Sequence, residues 1–237
     1  MTASDDQQPT AQDSLGQMRD AWDDFAERDA MFYIQCERSD WTQEEFFADG
    51  RSHFGAVLQW VGDRVQRGKM LDLGCGLGRL TVAAAPHFES VVGMDISSKM
   101  VEEARSLDPP ANVSFVQITS PGLPELEDDS LDFAICFSVF QHIPDEDVIA
   151  GYTKAISRAL RPTGRAVLHF DTEPESGLRT LLLGLPDWML PRKNRRFMRR
   201  ARRDSTRIRD LLDDAGLAIE EERDPDSVLH RFLLRPR

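Results

Sequence analysis

The alternation of apolar and polar positions divides the chain into a helical N-terminal part and a part in which strands and helices alternate. Short apolar runs predict strands at Lys69–Leu73, Ser90–Met94, Val113–Gln117, Leu131–Phe137, Arg165–Phe170, Leu217–Glu221 and Val228–Leu234. The nearly continuous apolar run Leu131–Phe137 is typical of a central parallel strand that is buried on both faces. Helical periodicity between the runs, clearest from Asp145 to Leu160, predicts an α/β fold with a mostly parallel sheet.

The same pattern predicts how the chain is divided. The predicted segments are a disordered tail at 1–16, an N-terminal helical cap at 17–67 and a core at 68–237 with an insertion at 172–203. The tail is rich in Asp, Gln, Ser and Thr and has little to bury. In the cap, the capping box Thr42–Glu45 predicts the start of a helix, and Gly50 is expected to end it. An amphipathic helix follows, and Gly68 is expected to end that helix.

A glycine-dense segment follows the first predicted strand and precedes a helix. Gly74, Gly76 and Gly78 permit positive φ and let a ligand approach the backbone, whose N–H groups then face it. Asp95 ends the next strand, 21 residues after Gly74, where a carboxylate can accept hydrogen bonds from both hydroxyls of a ribose. An ordinary helix-capping Asp is the alternative. The glycine-dense segment and Asp95 together predict a ligand that contains a nucleotide. Arg79 replaces the third glycine of the dinucleotide fingerprint.

Four motifs occur in a fixed order along the chain. They are MLDLGCGLG at 70–78, VGMDIS at 92–97, LDFAICFSVFQHI at 131–143 and RPTGRA at 161–166. Together they resemble the class I S-adenosylmethionine-dependent methyltransferases over residues 68–170 and the final strands. The resemblance implies a Rossmann-like seven-stranded sheet of order 3-2-1-4-5-7-6 with strand 7 antiparallel. It also implies S-adenosylmethionine as methyl donor and S-adenosylhomocysteine as product.

The resemblance further implies which residues bind the cofactor. The implied contacts are Gly74, Cys75, Gly76 and Gly78 with its amino-acid part, Asp72 with the loop and the ammonium group, Asp95 with the ribose, Ile96 and Met100 with the adenine, and Phe137 and Ser138 with the methionine part. Thr119 stands where the family usually has an acid or amide for the adenine amino group. Thr119 could contact the adenine amino group only through its hydroxyl or its main chain.

Several side chains are candidates for contact with the methyl acceptor. Imidazole titrates near neutral pH, so His142 is a candidate general base, with orientation of its own loop as the alternative. His169, a second catalytic candidate, and Asp171 lie at the exit of strand 5, where α/β sheets place ligand groups. Tyr33 and its aromatic neighbours either belong to the core or fold over the cofactor as a lid. Trp188 in the insertion is a further candidate acceptor contact.

The charge distribution is uneven. The net charge is −12, yet residues 192–209 contain ten Lys or Arg and one acid, which leaves −21 on the remainder. A long polyanion is repelled by that remainder, so nucleic acid is not expected as a partner. The run Arg192–Arg203 is either a solvated helix face or, beside apolar residues 181–190, a strip for an amphiphilic anionic acceptor.

These features predict a methyltransferase that transfers a methyl group by SN2 chemistry to O, N or C of a small or amphiphilic molecule. The alternatives are an RNA methyltransferase that uses Arg192–Arg203, a protein-modifying methyltransferase, a non-catalytic cofactor-binding protein and, at class level, a dinucleotide oxidoreductase. Cys36, Cys75 and Cys136 are odd in number and lack metal-ligand spacing, and the N-terminus lacks the features of a secretory signal. A cytoplasmic location without a bound metal or a transmembrane segment is therefore expected.

Overall fold

The computed structural model describes residues 10–35, 40–174, 189 and 198–237. Within these ranges the strands are β1 (Lys69–Leu73), β2 (Ser90–Asp95), β3 (Val113–Gln117), β4 (Leu131–Cys136), β5 (Leu160–Phe170), β6 (Leu217–Arg223) and β7 (His230–Pro236). The α-helices are α1 (Ala11–Ile34), α2 (Gln43–Val61), α3 (Arg79–Ala84), α4 (Ser98–Ser106), α5 (Glu146–Ala159) and α6 (Ser205–Asp214). Single 3₁₀ turns lie at Gly62–Arg64, Ala85–His87 and Phe140–His142.

The strands of the described chain form one sheet of order β3-β2-β1-β4-β5-β7-β6. Strands β1 to β5 pair in parallel, whereas β7 is antiparallel to both β5 and β6. This is the predicted order, and the predicted antiparallel strand 7 is confirmed. Every residue of β4 is buried, as expected for a central strand covered on both faces.

Alternate residues of the strands supply two cores, one on each face of the sheet. On one face, α2 and α3 cover Met70, Phe133, Ile135, Val167 and Leu233. On the other face, α5, α6 and the first half of α1 cover residues such as Leu71, Ala134, Leu168 and Phe232. Both N-terminal helices therefore contribute to the cores of the sheet itself.

Helix α1 begins earlier than the sequence pattern predicted. A capping box between Thr10 and Asp13 starts the helix, and Leu15 is fully buried in the core. The prediction of a disordered tail up to residue 16 is thus wrong for residues 10–16. Asp29 has non-helical φ and ψ, so the helix is kinked there. The Asp29 side chain accepts a hydrogen bond from the Phe32 amide, which starts the segment that leads to Tyr33.

Helix α2 begins at its predicted capping box but does not end at Gly50. It continues to Val61 and is capped by Gly62, so the predicted ends at Gly50 and Gly68 are both wrong. A Cβ at Gly50 would overlap the carbonyl oxygen of Arg79, at the start of α3. Glycine is present at this position because two helices cross at close range.

The insertion after β5 lies mostly outside the described residues, which resume with Met198 apart from the single residue Met189. Trp188, a predicted acceptor contact, is outside the described ranges. Among the helices of the described chain, none has both the length and the apolar character that a membrane span requires.

Candidate functional site

A cavity opens at the carboxyl ends of β1, β2 and β4. Its empty volume is about 720 Å³, which includes the open space at the mouth of the cavity. Its wall is formed by Met18, Trp22, Tyr33, Ile34, Leu73, Gly74, Gly76, Asp95, Ile96, Met100, Ile118, Phe137, Ser138, Val139, His142, Ile143 and Tyr152. The structure therefore brings together nine of the predicted site residues, which are Tyr33, Gly74, Gly76, Asp95, Ile96, Met100, Phe137, Ser138 and His142.

The glycine loop forms one end of the wall. Gly74 and Gly76 have φ values of 75° and 53°, in the left-handed region that favours glycine. The amides of Gly74 and Cys75 donate to the carbonyl oxygen of Met94 at 2.6 and 3.1 Å, which fixes the loop against β2. The side chain of Ile34 lies against Gly76, where a Cβ would come within 2.7 Å of its Cδ1. The loop is thus covered by the last turn of α1.

Cys75 and Gly78 belong to this loop but are not part of the cavity wall. Cys75 is buried in a small cluster with Val101, Ala104 and Phe115, and burial raises the pKa of its thiol well above the usual value. Gly78, with φ of 83°, precedes α3 and packs against the ring of Phe115. Both residues pack against Phe115 on the side of the loop away from the cavity wall.

Asp95 joins the loop to the rest of the site. Its Oδ2 accepts a hydrogen bond from the Gly76 amide at 2.8 Å, and its Oδ1 accepts one from the Ser97 amide at 2.9 Å. Burial raises the pKa of this carboxyl group, and the charge of Asp23 raises it further. Each carboxylate oxygen can accept more than one hydrogen bond. Asp95 can therefore hold the loop and still accept donors from a ligand in the cavity.

Asp72 lies beneath the loop, outside the cavity wall. Its carboxylate accepts a hydrogen bond from the Thr81 hydroxyl at 2.6 Å, which ties β1 to α3. Burial raises the pKa of Asp72 to about 6, against the lowering effects of Thr81 and Arg79. The bond joins β1 to the helix that follows the loop, and both the predicted loop-holding role and the predicted contact with an ammonium group stay predictions.

Thr119 is exposed and absent from the cavity wall. Its hydroxyl donates to Glu125 at 2.5 Å, and its carbonyl oxygen accepts from the Gln12 side chain at 3.2 Å. The neighbouring Ile118 lines the cavity instead. The predicted adenine contact by the Thr119 hydroxyl is therefore not formed by the residue as it is placed here.

Asp23 of α1 is a residue that the sequence analysis missed. Its Oδ1 accepts hydrogen bonds from the Ser97 hydroxyl at 2.6 Å and the Lys99 amide at 3.2 Å, and its Oδ2 accepts one from the Ser98 hydroxyl at 3.2 Å. This carboxylate thereby fastens α1 to the N-terminal end of α4, next to Asp95. The partners are about 75 positions away in sequence, so no local pattern signals the contact.

Aromatic side chains and an imidazole also line the cavity. The rings of Trp22 and His142 meet edge to face, with centroids 5.7 Å apart. Tyr33 stacks on Phe25, with centroids 4.4 Å apart. The Gln141 amide nitrogen lies 3.1 Å from Nε2 of His142, which fixes the orientation of the ring. This part of the wall is largely aromatic and carries two titratable groups, the His142 imidazole and the Tyr33 phenol.

His169 is not brought to the cavity. The ring is buried, its Nδ1 accepts a hydrogen bond from the Ser138 amide at 3.0 Å, and its Nε2 lies 2.8 Å from the Val228 carbonyl oxygen. These partners require a neutral ring with its proton on Nε2. Burial lowers the pKa of His169 to about 4. The residue holds Ser138, which has φ of 60° at the cavity edge, rather than acting on a ligand.

Asp171 is also directed away from the cavity wall. Its carboxylate lies 3.7 Å from Arg200 and 3.6 Å from Arg202, and Arg202 also pairs with Glu173. Arg203, the last residue of the predicted basic strip, donates to the carbonyl oxygens of Phe140, Ile143 and Pro144. Arg203 therefore holds the loop that carries His142, whereas Arg200 and Arg202 lie beside the carboxylates of Asp171 and Glu173.

The segment that contains the glycine loop is similar to a known family of proteins. Residues 70–164 match the model of a family described as a methyltransferase domain. The match includes the glycine loop, β2, β4 and the first residues of β5, which contain all or part of the four motifs that carried the predicted resemblance. A ubiquinone biosynthesis O-methyltransferase of Pseudomonas fluorescens is 29% identical over 129 residues, covering 53% of this chain and 54% of that protein. The chain thus spans about half the length of the curated relatives it matches.

Solved structures extend the likeness over nearly the whole chain. An S-adenosylmethionine-dependent methyltransferase from Leishmania major has a TM-score of 0.68 at 13% identity, covering 97% of this chain and 87% of that one. Magnesium protoporphyrin IX methyltransferase from Synechocystis, solved with bound S-adenosylhomocysteine, has a TM-score of 0.61 at 20% identity, covering 92% and 97%. At these identities the likeness establishes the fold, which is the predicted Rossmann-like methyltransferase fold.

Proposed function

We propose that this chain, in which a methyltransferase domain at residues 70–164 lies within a class I methyltransferase fold, transfers a methyl group from S-adenosylmethionine to a small or amphiphilic molecule. One observation carries the proposal. The wall of one cavity contains the glycine loop and Asp95, which we assign to a donor end, and also aromatic side chains with His142, which we assign to an acceptor end. A donor and an acceptor bound at the two ends would share one enclosed space.

The first end suits the chemistry of the cofactor. Gly74 and Gly76 present backbone without side chains, and Asp95 retains accepting capacity for hydroxyl groups. Ile96 and Met100 are buried apolar side chains in the same wall, as a purine ring requires on its faces. These residues would hold the nucleoside, and Phe137 and Ser138 would border the sulfur-bearing part. When bound, the sulfonium supplies an activated methyl group.

The second end suits an apolar acceptor with a ring. Trp22, Tyr33 and Phe137 provide aromatic surface, and aromatic faces also attract a sulfonium cation. The relatives agree in kind, because one acts in ubiquinone biosynthesis and a structural neighbour acts on magnesium protoporphyrin IX. An anionic acceptor gains no support from Arg200, Arg202 and Arg203, whose guanidinium groups contact carboxylates or carbonyl oxygens.

The protein itself supplies placement and exclusion of water. Methyl transfer from a sulfonium needs little further chemistry, so in-line positioning provides much of the rate enhancement. The apolar wall keeps water from the reacting groups. At the acceptor end, the His142 imidazole accepts a proton from an acceptor hydroxyl or orients that hydroxyl. Transfer to oxygen, nitrogen or carbon fits this arrangement.

A fractionation experiment separates this proposal from its alternatives. The full chain is incubated with methyl-tritiated S-adenosylmethionine and a cell extract, and label is counted in small-molecule, RNA and protein fractions. We expect the label in the small-molecule fraction. Label in RNA, with binding that falls steeply with salt, would support the RNA methyltransferase. Normal cofactor binding without any transfer would support the non-catalytic protein, and label confined to protein would support the protein-modifying enzyme.

We also propose that the protein acts in the cytoplasm. Cys75 and Cys136 are buried free thiols among the described residues, which suits the reducing cytoplasm.

A further inference from the structure

Arg19 is a partly buried arginine of α1 that the function described above does not use. Among the residues that the structure describes, its guanidinium makes one hydrogen bond, from Nη2 to the carbonyl oxygen of Ile118 at 3.5 Å. Its Nε is buried and has no hydrogen-bond partner among them. A guanidinium has five N–H donors, and a buried donor without a partner costs free energy. Arg19 therefore has donors left for another group.

Hydrogen bonds of the backbone place this guanidinium near Asp95. The amide of Ile118 donates to the Asp95 carbonyl oxygen at 2.8 Å, and the carbonyl oxygen of Ile118 faces Arg19. Asp95 and Ile118 both line the cavity, as do Met18 and Trp22, which lie next to Arg19 and one turn after it on α1. Arg19 thus borders the part of the cavity that the proposed function assigns to the nucleoside.

The charge of Arg19 also acts on Tyr152, another residue of the cavity wall. Burial raises the pKa of the Tyr152 phenol, the negative charge of Asp95 raises it further, and the positive charge of Arg19 opposes both. The Arg19 and Asp95 charges therefore influence the same stretch of wall. Arg19 itself is not part of the wall, but a ligand seated against Ile118 would come within reach of its long side chain.

The chemistry of a guanidinium limits what it can bind at the edge of a purine. It donates hydrogen bonds and cannot accept them. In the adenine of a nucleoside, the ring nitrogens N1, N3 and N7 accept, whereas the amino group donates. Arg19 can therefore bond to a ring nitrogen but not to the hydrogens of the amino group. The Thr119 hydroxyl, which was expected near the amino group, is bonded to Glu125.

We propose that Arg19 donates a hydrogen bond to one ring nitrogen of the adenine and so contributes to the selection of this base. The inference rests on the proposed function, because it takes S-adenosylmethionine as the cofactor. A donor directed at a ring nitrogen discriminates against a base with a C–H group at that position, since the donor then loses its partner. Recognition of the base would come from the N-terminal helix α1 as well as from the sheet.

Calorimetric titration of the full chain with four ligands tests the inference. The ligands are S-adenosylhomocysteine and three analogues in which a C–H group replaces N1, N3 or N7. We expect the wild type to bind one analogue about 10-fold more weakly than S-adenosylhomocysteine, through the loss of one hydrogen bond from a charged donor. Arg19→Met keeps an apolar stem and removes the donors. We expect this variant to bind S-adenosylhomocysteine about 10-fold more weakly and to lose the discrimination against that same analogue.

Arg28→Met is the matched control. It makes the same substitution on the same helix, where the Arg28 guanidinium is exposed and pairs with Asp24. We expect wild-type affinity and wild-type discrimination. The discrimination is a ratio of two affinities measured on one preparation, so a partly unfolded variant does not alter it.

Two results would overturn the inference. Equal affinity of the wild type for all four ligands would show that no ring nitrogen is bonded, whether or not Arg19→Met folds. Wild-type discrimination in Arg19→Met would show that another group bonds to the ring nitrogen. Failure of the wild type to bind S-adenosylhomocysteine would instead remove the proposed function on which the inference rests.

Discussion

Asp95 connects three parts of the site through one side chain. Its two carboxylate oxygens accept hydrogen bonds from the amides of Gly76 and Ser97, and the side chain is part of the cavity wall. The sequence interpretation weighed a ribose ligand against an ordinary helix-capping Asp. In the structure the side chain of Ser97 caps α4, while Asp95 bonds to the Ser97 amide and the loop. The capping function is therefore carried by a different residue, and a ribose contact by Asp95 stays a prediction.

Replacement of Asp95 tests that contact. We expect Asp95→Ala to weaken S-adenosylhomocysteine binding by about 1–3 kcal/mol, because hydrogen bonds from the ribose to a charged group are lost. Calorimetry measures the affinity, and circular dichroism reports whether the loop and fold survive. Unchanged affinity in a folded variant would remove Asp95 from the site.

His169 makes stability depend on pH. Its pKa in the folded protein is about 4, because burial disfavours the charged ring, whereas an unfolded chain has the ordinary value near 6.5. The unfolded state thus binds a proton first as the pH falls. The stability that neutral His169 contributes is fully present above pH 6.5 and is lost as the pH falls toward 4.

Urea unfolding at two pH values measures this effect. Between pH 7 and pH 5 we expect the wild type to lose about 2 kcal/mol of unfolding free energy through His169, at 1.36 kcal/mol per pKa unit. His169→Gln does not titrate, so its loss over the same interval is smaller by that amount. Equal pH dependence in the two proteins would show that His169 is not held neutral.

At the scale of elements, two glycines of α2 provide a controlled pair. A Cβ at Gly50 would overlap the backbone of Arg79, whereas nothing lies within 4 Å of a Cβ at Gly55. We expect Gly50→Ala to lower the unfolding free energy by about 1–3 kcal/mol, through overpacking between α2 and α3. Gly55→Ala is expected to be neutral or to stabilise by up to about 1 kcal/mol, since alanine favours helix. Thermal or urea unfolding compares them, and equal effects would contradict a close crossing of the helices.

The attachment of α1 to α4 is expected to control the exchange of ligand. Asp23 bonds to Ser97, Ser98 and Lys99, while the same helix supplies Trp22 to the cavity wall. We expect Asp23→Ala to speed the release of S-adenosylhomocysteine, measured by stopped-flow displacement, because α1 loses the hydrogen bonds that this carboxylate accepts from Ser97, Ser98 and Lys99.

The neighbouring Asp24 is a suitable control. It pairs with the exposed Arg28 on the same helix, a type of pair that contributes little to stability. Asp24→Ala should therefore leave the release rate unchanged. Equal rates for the wild type and both variants would show that Asp23 does not hold α1 over the cavity.

For the whole molecule, much of the fold follows from local patterns. The apolar run of β4, the capping box at Thr42 and the strand–glycine–helix signature at 69–84 each depend on residues close in sequence. The order of the sheet was predicted correctly because the four motifs implied a family. The same motifs located Gly74, Gly76 and Asp95, which the structure places in one cavity wall.

Other features were not predictable because their partners are distant in sequence. Gly50 was interpreted as a helix end, since a contact with Arg79 across two helices leaves no local signature. Arg203 reaches carbonyl oxygens about 60 residues away, so its run was interpreted as a surface strip. The helical periodicity of residues 145–160 predicted only that Tyr152 lies on a buried face of a helix. Whether such a residue faces core or cavity is decided by tertiary packing.

The central claim is that the cavity binds S-adenosylmethionine rather than a dinucleotide. Its most direct test is calorimetric titration of the full chain with S-adenosylhomocysteine and, in parallel, with NAD. We expect micromolar binding of S-adenosylhomocysteine and no heat of binding with NAD. Micromolar binding of NAD with no heat from S-adenosylhomocysteine would contradict it.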